Sequence, residues 1–259
     1  MIAAKMPAPA AQILRPDWPA PANVCAASTT RIGGISQPPY DGLNLAAHVG
    51  DDPEAVQANR AQLMKILDLP SEPHWLNQSH GKQVMHVTDG MHANPQADAA
   101  VTFDSGQVCV VMSADCLPVL FCDRAGTRVA AAHAGWRGLV TGVLEASLDA
   151  LGIDPAEVLV WLGPAIGPQA FEVGDEVRQQ FLAHDPGAAL AFSPLITSAT
   201  QAHWLADLTL LAQQRLQRAG VEAIYGGGLC TFTESQRFFS YRRNGKTGRM
   251  ATLIWLADG

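Results

Sequence analysis

The chain has 259 residues, 48% hydrophobic and 16% charged, which excludes a disordered or fibrous protein. Its net charge of -7 argues against nonspecific binding to nucleic acid, which needs a basic face that displaces counterions from the phosphates. The sequence contains no signal-peptide core and no apolar run of about 18 residues, so we expect no export and no membrane span.

The five cysteines are an odd number spread widely along the chain. Small secreted domains instead carry a dense, even set of cysteines that form disulfides. We therefore expect a reducing, cytoplasmic environment, and we take a monomer as the default assembly.

The N-terminal part of the chain begins with an irregular segment. Residues 1–22 are rich in proline and predict a surface lead-in, followed by a single domain over 23–259. Residues 24–30 predict a first strand, and 31–42 predict a long turn-rich loop of the kind that often carries functional residues. An N-cap aspartate and a first-turn proline then predict a helix over 52–67. Its apolar period places Ile66 on the buried side, and Asn59 and Arg60 are exposed or face a site.

The remaining elements alternate between short apolar runs and helical patterns. The predicted strands cover residues 83–87, 98–103, 107–113, 117–122, 127–133, 158–162 and 223–225. The predicted helices cover residues 135–151, 176–184 and 205–219, and a closing hairpin joins 238–242 to 249–256. Because some strands are adjacent and others are separated by helices, we expect a layered α/β (α+β) fold with mixed sheets and packed helices.

A cysteine and two histidines form the main candidate site. Cys116 and His133 lie at the ends of neighbouring predicted strands, and His80 lies at the corner before the strand 83–87. One thiolate and two imidazoles leave one position of a tetrahedral zinc ion open, as in catalytic sites, and such an ion lowers the pKa of its water to about 7. In the alternative interpretation Cys116 is a nucleophile, His133 is the base that activates it, and Asp115 or Gln78 is the residue that orients this base. The residue pattern does not separate these two hypotheses.

Several arginines are candidates for binding an anion. Arg137 lies where a helix begins, and the backbone amides of a helix start attract negative charge. A guanidinium offers a planar fork of donors that suits phosphate or carboxylate. Three more arginines share this role: Arg60, Arg242 and Arg243. Trp136 and Phe239 are candidates for stacking on a flat base, but core packing is the role that we expect for either residue.

A set of motifs across the chain carries a family resemblance. The motifs are Gly-Leu-Asn-Leu (42–45), His-Val-Gly-Asp (48–51), Asn-Arg (59–60), Gln-Ser-His-Gly (78–81), Ala-Asp-Cys (114–116), His-Ala-Gly-Trp-Arg-Gly (133–138), Gly-Pro-Ala-Ile-Gly (163–167), Phe-Ser-Tyr-Arg-Arg (239–243) and Thr-Gly-Arg (247–249). With these motifs the chain resembles the YfiH-like family, also called the laccase-domain or polyphenol-oxidase family. This family includes bacterial purine nucleoside phosphorylases unrelated to the usual trimeric and hexameric enzymes.

The resemblance implies a fold, a cofactor and a reaction. The implied fold is akin to that of the cytotoxic necrotizing factor deamidases, and the implied zinc ligands and catalytic residues are His80, Cys116 and His133. The implied reactions are phosphorolysis of adenosine, guanosine, inosine and S-methyl-5'-thioadenosine, and deamination of adenosine to inosine. The candidate contacts to nucleoside and phosphate are Asn44, His48, Arg60, Gln78, Asp115, Arg137, Arg242 and Arg243.

Other functions stay open beside this one. Copper oxidation ranks lower, because a multicopper centre needs a cluster of many histidines and the eight histidines here include no His-x-His pair. The zinc-binding signature of the familiar base deaminases is absent, so Asp115 is our candidate general acid or base. Kinship to the deamidases keeps a Cys-His hydrolase or amidase open, and a link of the family to peptidoglycan quality control keeps a cell-wall editing factor open.

Overall fold

The computed structural model describes residues 10–90, 95–195 and 203–257. The thirteen strands in these ranges are β1 Ile13–Leu14, β2 Val24–Thr29, β3 Val84–His86, β4 Ala99–Thr102, β5 Val108–Ser113, β6 Leu117–Asp123, β7 Val129–Ala134, β8 Val158–Leu162, β9 Glu172–Gly174, β10 Phe192–Leu195, β11 His203–Ala206, β12 Ala223–Gly226 and β13 Met250–Leu256. The α-helices in the same ranges are α1 Pro53–Leu67, α2 Trp136–Thr141, α3 Val143–Leu151, α4 Asp175–His184, α5 Leu208–Arg218 and α6 Tyr241–Asn244.

The fold has four layers. A six-stranded mixed sheet, in the order β12-β8-β6-β7-β4-β3, packs face to face on a four-stranded antiparallel sheet, in the order β1-β2-β13-β5. Helices α2 to α5 cover the outer face of the six-stranded sheet, and α1 with the loops around it covers the outer face of the other sheet. A small sheet of β10, β11 and β9 completes the described part. The predicted α/β fold with mixed sheets and packed helices is therefore confirmed.

The alternation of side chains along the central strands explains this layering. In β6, Val119 and Phe121 contact the helices, whereas Leu120 and Cys122 contact the other sheet. Successive side chains of a strand point to opposite faces, so a strand buried on both faces is apolar throughout. The continuous apolar runs in the sequence arise from this burial on two sides.

Helix α1 was predicted with the correct bounds but with two errors in its faces. Asp52 caps the helix by accepting a hydrogen bond from the Glu54 amide, as expected. Ile66, placed on the buried side by the prediction, is 40% exposed. Asn59 is fully buried and donates to the Asn44 carbonyl, so it holds the loop before the helix and does not face a ligand.

Two of the predicted helices differ from the structure. The helix predicted over 135–151 is divided at Gly142, which has φ +96° and ends α2 with a left-handed cap. The segment predicted as a helix over 205–219 begins with the end of β11, and Asp207 then caps α5 by accepting a hydrogen bond from Leu210. A cap residue in the middle of an apolar run marks this boundary, and the helical period alone does not reveal it.

The closing hairpin prediction was wrong. Residues 238–240 form no strand, and Ser240 caps the short helix α6. Strand β13 instead inserts between β2 and β5, with Ile254 opposite Ala26 on one side and Cys109 on the other. Because β2 and β5 are both distant from β13 in sequence, the local pattern predicted pairing with the nearby residues 238–242 instead.

The N-terminal segment contributes one short strand. In the predicted lead-in 1–22, Ile13–Leu14 pairs with β2, and residues 1–9 lie outside the described residues. Among the described helices, none combines the length and apolar character needed to cross a membrane.

Candidate metal centre

Strand register brings a cysteine and a histidine to one edge of the six-stranded sheet. Strands β6 and β7 are antiparallel, with Leu117 opposite Ala134 and Pro118 opposite His133. Cys116 directly precedes β6 and therefore lies beside the end of β7. His133 is buried, whereas Cys116 is partly exposed.

A buried aspartate brings His80 to the same edge. Asp98 precedes β4, and its side chain accepts hydrogen bonds from the amides of Ser79 at 3.1 Å, His80 at 2.8 Å and Gly81 at 2.7 Å. Asp98 also accepts a 2.9 Å hydrogen bond from Nδ1 of His133. His80 has φ +62°, a left-handed conformation that is uncommon for a residue other than glycine. The three amide contacts hold the loop in this conformation.

The three side chains have the spacing of metal ligands. One donor atom from each of His80, Cys116 and His133 lies within 4.8 Å of the others, and Sγ of Cys116 is 3.8 Å from Nε2 of His80. Tetrahedral zinc, with Zn–S near 2.3 Å and Zn–N near 2.0 Å, separates sulfur and nitrogen ligands by about 3.5 Å. Because Nδ1 of His133 bonds Asp98, Nε2 is the nitrogen left for a metal. These residues fit one ion with three protein ligands.

The local charges favour the deprotonated thiol. Burial raises the pKa of the Cys116 thiol. The positive charge of His133 and hydrogen bonds from both histidines lower this pKa by a larger amount, so its net value lies below the usual range. Burial lowers the pKa of His133, but the Cys116 thiolate and Asp98 raise it overall. Burial raises the pKa of Asp98, and its hydrogen bonds to His133 and the loop amides outweigh this and lower it to about 2. The site therefore contains a thiolate near neutral pH.

We expect metal-free protein to react with iodoacetamide at Cys116 with an apparent pKa well below about 8.5, the ordinary thiol value. The folded-state pKa is lowered, so the thiolate persists at neutral pH and is lost only as the pH falls. Burial raises the pKa of Cys109 and Cys122, which serve as internal controls. The measurement is the alkylation rate of each cysteine against pH by peptide mass spectrometry. A Cys116 profile centred at or above 8.5 would contradict the proposed charge arrangement.

Gly135 makes room for the ligand set. A Cβ atom on this residue would lie 2.8 Å from Sγ of Cys116 and 3.0 Å from Cδ2 of His80. Gly135 has φ -66°, which an alanine adopts without backbone strain, so a substitution affects the ligand set through this crowding.

The substitution Gly135→Ala is expected to weaken zinc binding at least about tenfold, because two ligands must move apart to admit the methyl group. Gly187→Ala is the matched control, since its Cβ would meet only the Asp185 side chain, at 3.2 Å on the surface. Zinc titration against a chromophoric chelator gives both dissociation constants. Equal zinc affinity in the two variants would contradict this prediction, because it would show that the ligands accommodate the methyl group.

A pocket of about 590 Å³ surrounds the three ligands. This volume lies in the range of small-molecule sites. The predicted site residues that line it are His48, Gln78, His80, Asp115, Cys116, His133, Arg137 and Arg242. The lining residues that were not predicted as ligand contacts include Arg249, Phe171, Tyr241 and Leu208. The pocket thus combines three ligand-type donors, three arginines and aromatic faces.

Three predicted contact residues are not among the pocket-lining residues. Asn44 is fully buried, accepts hydrogen bonds from the amides of Ala46 and Arg249, and donates to Asp51. Arg60 donates to the Leu45 carbonyl and stacks on a tryptophan ring. Arg243 donates to the carbonyls of residues 231, 232 and 238. These contacts position the loops around the pocket.

Two predicted residues reach the pocket but are bound to the protein itself. Gln78 pairs with the backbone of Met112, accepting at 2.7 Å and donating at 2.8 Å. Asp115 accepts hydrogen bonds from the Thr231 hydroxyl and the Arg242 amide, both at 2.7 Å. Neither residue orients His133, so the prediction that one of them does so was wrong, and Asp98 occupies that position.

The arginines of the pocket differ in how many donors are free. The Arg137 guanidinium lies 4.4 Å from the Trp136 ring centre, and within the described part of the chain it forms no hydrogen bond or ion pair. Arg242 donates one bond to the Glu172 carbonyl. Arg249 donates to the carbonyls of residues 247 and 248. Arg137 therefore offers the most donors to an anion.

The two aromatic residues considered for stacking differ in their position relative to the pocket. Phe239 is fully buried, so the core packing that we expected for it is confirmed. Trp136 lines the pocket, as do Phe171 and Tyr241, which were not predicted. Tyr241 is 60% exposed and offers a ring face at the pocket wall.

Comparison with known proteins places the chain among sequences of similar length. A family model described as multi-copper polyphenol oxidoreductase laccase matches residues 25–257. The chain is 55% identical over 245 residues to a protein named purine nucleoside phosphorylase YfiH from Escherichia coli (strain K12), covering 95% of this chain and 99% of that protein. It is equally identical to purine nucleoside phosphorylase PA4543 from Pseudomonas aeruginosa, covering 95% and 98%.

Solved structures share the architecture. The crystal structure of Neisseria meningitidis protein NMB0706 superimposes with a TM-score of 0.90 at 52% identity, covering 95% of this chain and 99% of that chain. The structure of YlmD from Geobacillus stearothermophilus superimposes with a TM-score of 0.84 at 32% identity, covering 92% and 93%.

Proposed function

The chain belongs to the multi-copper polyphenol oxidoreductase laccase family, and we propose that it is a zinc-dependent purine nucleoside phosphorylase that also deaminates adenosine. The observation that carries the proposal is the placement of Arg137, Arg242 and Arg249 in one pocket with a set of three metal-type ligands. Relatives that share more than half of the sequence are named purine nucleoside phosphorylase. The proposed substrates are adenosine, guanosine, inosine and S-methyl-5'-thioadenosine.

Phosphorolysis requires an anion held beside the sugar. A phosphate oxygen attacks C1' of the ribose, the bond from C1' to the purine nitrogen breaks, and its electron pair leaves with the base, which takes up a proton. Fixed guanidinium donors suit this reaction, because they hold phosphate in line without reorganising. In the proposal Arg137 supplies the most free donors, and Arg242 and Arg249 complete the clamp. Tyr241 and Phe171 offer ring faces to the purine.

The metal ligands suit the second activity. A zinc ion held by His80, Cys116 and His133 would supply hydroxide near neutral pH, which the deamination of adenosine consumes. The residues of the chain hold these three ligands in place and provide the pocket walls. Asp115, our candidate general acid or base, has both carboxylate oxygens engaged. We therefore give it the role of holding α6, which carries Tyr241 and Arg242, against the site.

The test is direct. Zinc-loaded protein is incubated with inosine and phosphate, and hypoxanthine with ribose 1-phosphate is measured by chromatography. Omission of phosphate should stop base release, and adenosine without phosphate should yield inosine. Failure to convert any of the four nucleosides in the presence of phosphate would refute the proposal.

A Cys-His hydrolase is the second candidate. Asp98, His133 and Cys116 form a chain of contacts in which a carboxylate orients an imidazole beside a thiol of lowered pKa. This is the arrangement of a thiol nucleophile with its base and orienting acid. Such an enzyme would lose activity on alkylation of Cys116 and keep it after chelation of metal. A zinc enzyme would lose activity on chelation and regain it when zinc is restored.

The remaining proposals concern alternative functions, the oligomeric state and the cellular location. Within the described ranges, one group of three possible metal ligands is present, which is fewer than a multicopper centre needs. We keep copper oxidation and cell-wall editing as lower-ranked alternatives. We also propose a monomer in which residues 23–259 form one catalytic domain. We place the protein in the cytoplasm, since all five cysteines are free thiols.

A further inference from the structure

We propose that Asp98 is the positioning residue of the metal centre, and that this one carboxylate holds both histidine ligands in the orientation that binds metal. The role rests on the proposed metal site and deepens it. Asp98 is fully buried, and it contacts both His133 and the loop of residues 79–81 that carries the ligand His80. Its side chain itself is not a ligand in the three-residue group.

The first half of the role concerns the proton of His133. The carboxylate of Asp98 accepts from Nδ1 of His133 at 2.9 Å, and the His133 amide donates to the Asp98 carbonyl at 2.7 Å. A carboxylate has no proton to donate, so Nδ1 carries the ring proton and the lone pair stays on Nε2. In the neutral ring, the nitrogen that faces Cys116 is therefore the one that can bind a metal.

The second half concerns the backbone of His80. Three consecutive amides, of residues 79, 80 and 81, donate to the two oxygens of Asp98, and the Ser79 hydroxyl adds a fourth contact at 3.2 Å. This convergence holds His80 in its left-handed conformation and directs its ring toward Cys116. Released from Asp98, the loop would relax to an ordinary conformation and carry the ligand away.

An asparagine at this position cannot perform both tasks. Oδ1 accepts from His80 and His133, and Oδ2 accepts from Ser79 and Gly81, so each oxygen faces only donors. An NH₂ group directed at His133 would reverse the ring tautomer and place the proton on Nε2. An NH₂ group directed at the loop would repel its amides. Either orientation damages one histidine ligand.

The chain offers a matched control. Asp123 is also a buried carboxylate, and it accepts from the Thr127 amide at 2.7 Å, the Arg128 amide at 3.0 Å and the Thr127 hydroxyl at 2.6 Å. It lies at the opposite end of β6 from Cys116. Asp123→Asn therefore disturbs a similar turn without touching a histidine.

The experiment measures zinc affinity and the cobalt spectrum. Asp98→Asn is expected to weaken zinc binding about 10- to 100-fold, and Asp123→Asn is expected to leave it unchanged even where both lower the melting temperature. In the cobalt-loaded protein, Asp98→Asn should alter the thiolate charge-transfer and d–d bands. Unchanged affinity and spectrum in Asp98→Asn, or equal losses in both variants, would overturn the proposal.

A measurement on the unaltered protein covers the case in which the variant does not fold. Nitrogen-15 spectra of zinc-loaded protein should show His133 with its proton on Nδ1 and none on Nε2, and the reverse would overturn the role of Asp98. Wild-type protein that binds no zinc would overturn it as well. Weakened zinc binding in Asp98→Asn, in a protein without phosphorolysis, would support the positioning role while refuting the proposed function.

Discussion

Replacement of Cys116 by serine is expected to lower nucleoside turnover on the order of 10³-fold and to release the metal. A hydroxyl stays protonated at neutral pH and is a poor zinc ligand, so the site loses its anionic donor. Loss of a Lewis acid worth several kcal/mol corresponds to about this factor in rate. The measurements are zinc content by mass spectrometry and initial rates of inosine formation from adenosine, the reaction for which the metal would supply hydroxide.

Cys230→Ser provides the matched control for this substitution. Cys230 is a partly exposed thiol whose pKa is also lowered, since hydrogen bonds from Thr233 and nearby amides outweigh its burial. It lies outside the ligand group and the pocket lining. This variant should keep its zinc and its rate. If Cys116→Ser kept full zinc content with an inactive site, the thiol would be a nucleophile and the zinc hypothesis would fail.

Arg137→Gln is expected to raise the KM for phosphate about 10- to 100-fold with a small change in the KM for inosine. A hydrogen bond to a charged group contributes about 1.5–3 kcal/mol, and Arg137 is the pocket arginine with the most free donors. Glutamine retains a polar end group but is shorter and carries no charge. Steady-state kinetics with phosphate varied at saturating inosine, and the reverse, separate the two effects.

Arg218→Gln controls for the loss of one positive charge from the protein. Arg218 is exposed and pairs with Asp185, away from the lining of the pocket. Its removal should change neither constant. An equal rise of both Michaelis constants in Arg137→Gln would assign that arginine to nucleoside binding or to pocket shape.

Much of the fold could be predicted because it depends on local periodicity. The central strands and α1 follow from continuous apolar runs and from the Asp52 cap, and the structure has them within one or two residues of the predicted ends. Which strands pair with one another does not follow from local periodicity. The pairing of β13 with β2 and β5 depends on how two sheets stack, which no window of sequence contains.

The candidate site, like the fold, could be predicted only in part. His80, Cys116 and His133 stood out by residue type and position, and they converge in space. Asp98 was missed because it was taken as the start of an apolar strand, although an acid at the head of a buried run is itself a signal. The arginines could not be ranked, since only coordinates distinguish the free guanidinium of Arg137 from that of Arg243, which backbone carbonyls occupy.

The insertion of β13 has a consequence for synthesis on the ribosome. The metal ligands all belong to the part of the chain that ends with β7, whereas Arg249 directly precedes the last strand. Among the described strands of its sheet, β5 pairs with β13 alone, so both β5 and β2 present an unpaired edge until β13 has been synthesised. The sheet can therefore close, and Arg249 can reach the pocket, only after the ligand-bearing strands have already been made.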